Sequence, residues 1–174
     1  PLGISAEPAV GKDRINKLIQ VIKKIPLFDG LGPSQVQTVL GACMTRKAEE
    51  GEVLCAAGTT GEELFILLTG GVGVFTTDGT EVATINPVAT IGEMSIATKQ
   101  TRTSTVKATQ TCNMLVIKRV ALDMALKTDP DAQAKIYRNV VEILAQRMDR
   151  DSARRRDDML EKAQLQQAIQ QLQK

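Results

Sequence analysis

Ile91-Gly92-Glu93-Met94-Ser95-Ile96-Ala97-Thr98-Lys99-Gln100-Thr101-Arg102-Thr103-Ser104-Thr105-Val106 is the stretch around which this 174-residue chain is organised. A glycine and a carboxylate come first, and a short apolar turn of helical spacing follows. An arginine flanked by hydroxyl residues then leads into residues suited to a strand. Gly92 permits close backbone approach, and the turn after it offers unpaired N–H groups to an anion. Arg102 adds a planar fork of donors that matches a phosphate. Glu93 would repel a phosphate, so it requires a different partner, such as sugar hydroxyls. Phosphate and sugar together point to a nucleotide.

Outward from this stretch the sequence alternates with the period of strands. Glu52-Val53-Leu54-Cys55 reads as a short strand ended by Gly58, and Thr59-Thr60-Gly61 as a turn. Leu64-Phe65-Ile66-Leu67-Leu68 is a continuous apolar run, as expected for a strand buried on both faces. Gly70-Gly71 breaks it, and Val72, Val74 and Thr76 resume the alternation. Asp78-Gly79 is the strongest hairpin signal in the chain, leading into Glu81–Ile85, which Pro87 closes. Thr103–Ala108 and Asn113–Ile117 read as two further strands. Short strands about ten residues apart with Gly-rich turns predict a mainly β fold, an antiparallel β-roll or jelly roll with flanking helices.

The ends are helical. Asp13 is a good N-cap, with Ile15, Leu18, Ile19, Ile22 and Ile25 at helical spacing before Pro26. Pro33-Ser34 opens a second helix with Val36, Val39, Leu40 and Cys43 on its apolar face. Val120–Leu126 is a brief helix that stops before Asp129-Pro130. After Pro130 no Gly or Pro occurs, which predicts one helix of about 44 residues, near 65 Å long. Tyr137, Val141, Leu144, Met148 and Asp151 keep heptad spacing, and the register continues through Arg155, Asp158, Lys162, Leu165, Ile169 and Leu172. A helix of this length is expected to have no core to rest on, so a coiled coil is the economical explanation. The polar middle costs stability and sets register or marks a stutter.

Composition removes several function classes. Hydrophobic residues make up 43% of the chain, and one Tyr and three Phe are the only aromatics, so the core is aliphatic. Net charge is +2, which makes no electrostatic case for nucleic acid or a membrane surface. No apolar run reaches the roughly 20 residues of a membrane span. Cys43, Cys55 and Cys112 are odd in number and far apart, and are expected to be reduced core thiols of a cytoplasmic protein. There is no histidine, which removes His-based metal sites, Ser-His and Cys-His pairs, and histidine general bases. Arg154-Arg155-Arg156 lies among Asp149, Asp151, Asp157 and Asp158, so a solvated or interchain-paired helix face is expected there.

The ordered motifs resemble the cyclic nucleotide-binding domain family over roughly residues 22–150. The family's phosphate-binding cassette runs close to Phe-Gly-Glu-Leu-Ala, a short loop, then Pro-Arg-Ala/Thr-Ala/Ser-Thr-Val. Ile91–Ser95 and Thr101–Val106 match it, with Ile91 in place of Phe and Thr101 in place of Pro. Pro26-Leu27-Phe28, Leu31, Gly51-Glu52-Val53-Leu54, Gly58, Leu64–Leu67 and Gly71-Val72-Gly73-Val74 match surrounding markers. The spacing from Arg102 to Asp129-Pro130 and the long helix is similar to that of the bacterial catabolite-activator branch. The resemblance implies that Glu93 accepts from a ribose 2′-OH and Arg102 pairs with a cyclic phosphate. Gly92, Met94 and Ser95 would present backbone N–H groups, and Thr103 and Ser104 would meet phosphate oxygens or the base edge. Arg147, or Met148 beside it, falls where a lid residue would reach the base. Arg147 stacking on a purine and an ion pair with Asp151 remain equal alternatives.

The expected organisation is a tag remnant or tail at 1–12, the leading helices and β-roll at 13–130 with its cassette at 91–106, and a lid and dimeric coiled coil at 131–174. The expected function is a non-enzymatic sensor of cAMP, with cGMP as the other possible ligand, needing no metal or cofactor. It would signal through a homodimeric coiled coil to an effector domain outside the chain. No DNA-binding motif is expected in this chain. The competing reading is a structural dimerisation module with a degenerate, ligand-free β-roll.

Overall fold

The period-two segments become strands in a computed structural model, which describes residues 19–94, 98 and 101–172. In chain order they are β1 (Met44–Ala48), β2 (Val53–Cys55), β3 (Glu63–Thr69), β4 (Val72–Phe75), β5 (Glu81–Ile85), β6 (Ala89–Ile91), β7 (Thr105–Ala108) and β8 (Cys112–Lys118). Two four-stranded sheets result, ordered β1-β8-β3-β6 and β2-β7-β4-β5. Every pairing is antiparallel. This is the β-roll read from the sequence.

Phe65, Leu67, Met114 and Val116 of the first sheet face Leu54, Cys55, Val72, Val106 and Ala108 of the second in one apolar core. Leu64, Ile66 and Ile117, of opposite parity on β3 and β8, are also buried. Both central strands are therefore covered on both faces, which is why Leu64–Leu68 carries no polar alternation. The Asp78-Gly79 hairpin forms as expected. Gly79 takes φ of 87°, Thr76 N donates to Thr80 O at 2.9 Å, and the Asp78 carboxylate accepts from Thr80 N at 3.2 Å.

Two strands were not legible. β1 is a sheet edge on which Ala48 alone is fully buried, so its Met-Thr-Arg-Lys sequence carries no apolar alternation. Arg46 reaches the Glu52 carboxylate at 2.6 Å and lies over the Phe65 ring at 5.6 Å. β6 has three residues and follows Pro87-Val88, where Val88 takes φ of 67°. That left-handed conformation costs a β-branched residue about 1–3 kcal/mol. It is held by Val88 N donating to Leu67 O at 3.0 Å, which turns the chain onto β3 and into the cassette.

Helical segments close the roll. Residues 19–22 are helical, and the proposed cap Asp13 with Ile15 and Leu18 lies outside the described residues. A 3-10 turn (Pro26–Phe28) precedes α1 (Pro33–Gly41), which buries Val36 and Val39. α2 (Arg119–Leu126) continues directly from β8 and lies against α1. α3 (Pro130–Leu172) is a single 43-residue helix. Asp129 caps it by accepting from Ala132 N at 2.9 Å, with Pro130 at the first position, where the missing N–H costs nothing. That hydrogen bond and one from the Gln35 side chain hold the Asp129 carboxyl below its ordinary range.

The chain divides into two compact units, Pro1–Val140 and Val141–Lys174. The expectation that the long helix has no core to rest on fails for its first turns. Ala132, Ile136 and Val140 are buried within the first unit. Asn139, fully buried, donates from Nδ2 to Leu27 O at 3.0 Å and Asp29 O at 2.9 Å. Tyr137, assigned to the coiled-coil seam, instead donates to Asp123 Oδ1 at 3.0 Å. The seam available to another helix begins at Val141. In the second unit Val141, Met148, Leu165 and Ile169 are 63%, 70%, 57% and 53% exposed.

Candidate functional site

β6 delivers the buried Ile91 to Gly92, whose φ of 86° turns the chain out of the sheet. Glu93 follows and is 1% exposed. Met94 starts a helical turn, with Thr98 N donating to Met94 O at 2.8 Å. Ser95 lies outside the described residues. The chain returns at Thr101, which bridges Thr60. Arg102 N donates to Thr59 O and Gly58 N to Arg102 O, both at 2.8 Å. Thr105 Oγ1 accepts from Ala57 N at 3.1 Å as β7 begins. The Arg102 backbone is thus stitched on both sides to 57–60, a segment more than 40 positions earlier in the chain.

The guanidinium is held as tightly as the backbone. Arg102 Nη2 donates to Glu63 O at 2.6 Å. A Cβ added at Gly61 would stand 2.1 Å from Arg102 Nε, and one at Gly92 would stand 2.2 Å from Nη1 and 2.8 Å from Glu63 O. Real carbon atoms never approach so closely, so the planar group fits only because both neighbours are glycines. The sandwich fixes the fork's plane, which is what bidentate recognition of an oxyanion needs. Glu63 O occupies part of a five-donor group.

A cavity of about 340 Å3 opens beside this arginine, lined among others by Cys55, Thr59, Thr60, Gly61, Glu62 and Lys118. Burial pushes the Cys55 thiol up, and the Arg102 charge pulls the opposite way. Lys118 and Arg102 give the cavity two cations. Nothing in this set is a general base of histidine type, and among the described residues no group of three His, Cys, Asp or Glu is placed to hold a metal ion.

The structure therefore brings Gly92 and Arg102 into contact and keeps Glu93 buried next to Gly92 in the same turn. Thr103 is exposed and Ser104 half-buried, both between Arg102 and β7. Met94 is half-buried. Arg147 lies on α3 in the second unit and is half-buried there. Gly61 and the Glu63 carbonyl were missed by the sequence reading. Their only local signal is the spacing Gly58-Thr59-Thr60-Gly61, two glycines in a turn.

Comparison with known proteins bears on the family and the fold. The family model of the cyclic nucleotide-binding domain matches residues 45–129. A cyclic nucleotide-gated potassium channel of Mesorhizobium japonicum is 30% identical over 119 residues, covering 68% of this chain and 32% of the channel. The cAMP-dependent protein kinase regulatory subunit of Yarrowia lipolytica is 26% identical over 72% of this chain and 33% of the subunit. The chain thus spans about a third of the length of these relatives. The crystal structure of a cyclic nucleotide-binding domain from Methylobacillus flagellatus superposes with a TM-score of 0.72 at 24% identity, covering 82% of each chain. That last likeness bears on the fold alone. Among the described residues no helix is long and apolar enough to cross a membrane.

Proposed function

Residues 45–129 belong to the cyclic nucleotide-binding domain family, and on that premise we propose that the chain is a cyclic-nucleotide sensor. The observation that carries the reading is the Arg102 guanidinium locked between Gly61 and Gly92 at a cavity, with Glu93 buried one residue beyond Gly92. Arg102 pairs with the cyclic phosphate, and Glu93 accepts from the ribose 2′-OH. Gly92, Met94 and Ser95 supply backbone N–H groups, as an anion nest does. Thr103 and Ser104 contact phosphate oxygens or the base edge. A cyclic phosphodiester carries one negative charge, which one guanidinium and an N–H nest balance without a metal or cofactor. The site binds its ligand and does not hydrolyse it, since no histidine base is present.

cAMP is the favoured ligand, in line with the kinase regulatory relative, and a Thr103 hydroxyl able to reach guanine N2 keeps cGMP as the alternative. The protein acts in the cytoplasm, where its free cysteines stay reduced. Binding is transmitted along α3 through a homodimeric coiled coil to an effector domain outside this chain. The shift it causes is limited to the ligand's differential affinity for the two arrangements, typically about 1–3 kcal/mol. Titration calorimetry with cAMP and with cGMP tests the reading. Saturable binding of one ligand per chain, tighter for cAMP, is expected; no heat from either nucleotide would leave the structural module as the function.

Gly61→Ala probes the sandwich from the cavity side. Gly61 does not have a positive φ, so the backbone accepts alanine, but the new methyl displaces the guanidinium. The expected result is a loss of affinity of about tenfold or more, roughly 1.4 kcal/mol, with the urea midpoint little changed.

A further inference from the structure

The proposal that the chain dimerises through its long helix leaves the direction of pairing open, and the charges of that helix decide it. The heptad register puts Val141, Met148, Arg155, Lys162 and Ile169 at one core position and Leu144, Asp151, Asp158 and Leu165 at the other. The first set is apolar or basic, the second apolar or acidic. The described members of this seam other than Leu144, which is half-buried, are exposed. Arg155 Nε is turned to the Asp151 carbonyl oxygen at 3.3 Å.

A parallel, in-register pair sets each core residue against its own copy. Four successive layers would then be Asp151 on Asp151, Arg155 on Arg155, Asp158 on Asp158 and Lys162 on Lys162, every one of like charge. In an antiparallel pair the two core positions face each other instead. With the twofold axis between Arg156 and Asp157, Arg155 meets Asp158, Lys162 meets Asp151, Met148 meets Leu165 and Leu144 meets Ile169. Every base faces an acid and every apolar residue an apolar one. Moving the axis by one heptad layer destroys the match: one direction sets Met148 on Asp158 and Leu144 on Lys162, the other sets Asp151 on Ile169. At the flanking positions of the matched register Arg154 comes opposite Glu161. One direction and one register satisfy the whole seam.

We infer that residues 141–172 form an antiparallel coiled coil with a second copy of this chain, centred between Arg156 and Asp157. The inference rests on the coiled-coil reading of the preceding subsection. The polar middle that weakens the helix pair is also the element that selects its direction, because a parallel partner is rejected by like charge. By the 1.5 Å rise per residue, the two Val141 positions stand about 45 Å apart along the pair.

Cysteine cross-linking of the full chain under mild oxidation tests the direction, with sedimentation reporting mass. Met148→Cys alone and Leu165→Cys alone are expected to remain uncross-linked above the wild-type background, and an equimolar mixture, in which random pairing makes half of the dimers mixed, to put about half of the chains into a covalent dimer on a non-reducing gel. A covalent dimer from Met148→Cys alone, in a protein that sediments as a dimer, overturns the antiparallel direction and leaves the dimeric reading standing. A monomer by sedimentation, with and without cAMP, overturns both. As a second measurement, Arg155→Asp is expected to weaken dimerisation and Arg155→Asp with Asp158→Arg to restore it. An unchanged dimer for the single variant contradicts the pairing.

Discussion

Replacing Arg102 by alanine lowers cyclic-nucleotide affinity by about 2–4 kcal/mol, a loss of roughly thirty- to a thousandfold. The size follows from what is left behind. A phosphate drawn into the cavity beside Gly61 would lose its charge partner and still be desolvated. Truncation also frees the Glu63 carbonyl, which accepts from Nη2 at 2.6 Å, but that group can take water from the opened cavity. Stability therefore changes much less than affinity. The backbone bonds of residue 102 to Gly58 and Thr59 do not involve its side chain, so the loop keeps its course. Arg102→Lys recovers part of the charge and none of the fork, and its affinity falls between the two. Calorimetric titration with cAMP, run beside a thermal melt, separates the effects. An affinity unchanged in Arg102→Ala would contradict the placement of the phosphate at this residue.

Asn139→Leu is the substitution with the largest expected cost to the fold, about 2–4 kcal/mol. Leucine keeps the branched shape of asparagine and is somewhat larger, so no cavity forms at this fully buried position. Both donors are lost, and the carbonyls of Leu27 and Asp29 lose the partners they have at 3.0 and 2.9 Å. A buried acceptor without a donor costs about 1–3 kcal/mol. A shift of the urea midpoint with an unchanged slope measures it. A midpoint shift worth under about 0.5 kcal/mol would mean that these bonds exchange freely with water. The position matters for signalling too. Asn139 fastens the start of α3 to the segment before α1, so the first turns of the long helix belong to the folded domain.

The parts of this molecule that announced themselves were those in which one residue type has one physical use. Asp78-Gly79 marks its hairpin because few other pairs accept its backbone angles. Leu64–Leu68 marks a doubly covered strand because only full burial tolerates five apolar residues in a row. Glu93 and Arg102 could be paired nine residues apart because a known cassette keeps that spacing. β1 stayed hidden since an edge strand facing solvent needs no apolar alternation, and β6 since three residues are too few to show a period. Asn139 falls in a slot that the heptad register points away from the seam, and nothing local says that this slot faces Leu27, 112 positions earlier. Gly61 is the clearest limit. Its function is to lack a side chain where an arginine 41 residues later must lie, and a turn glycine looks the same with or without that arginine.

The placement of the three thiols has a practical chemical consequence. Burial pushes Cys43 up to about 12 and raises Cys55, while Cys112 is fully enclosed and directed at the Gly71 and Gln110 carbonyl oxygens. At pH 8 a thiol ionising near 12 is only about one part in ten thousand thiolate, against roughly a quarter for an ordinary exposed cysteine. Maleimides and disulfide reagents attack the thiolate, so a cysteine introduced on the exposed helix reacts well ahead of Cys43. Cys43 thus adds little to the background of site-directed labelling at that pH.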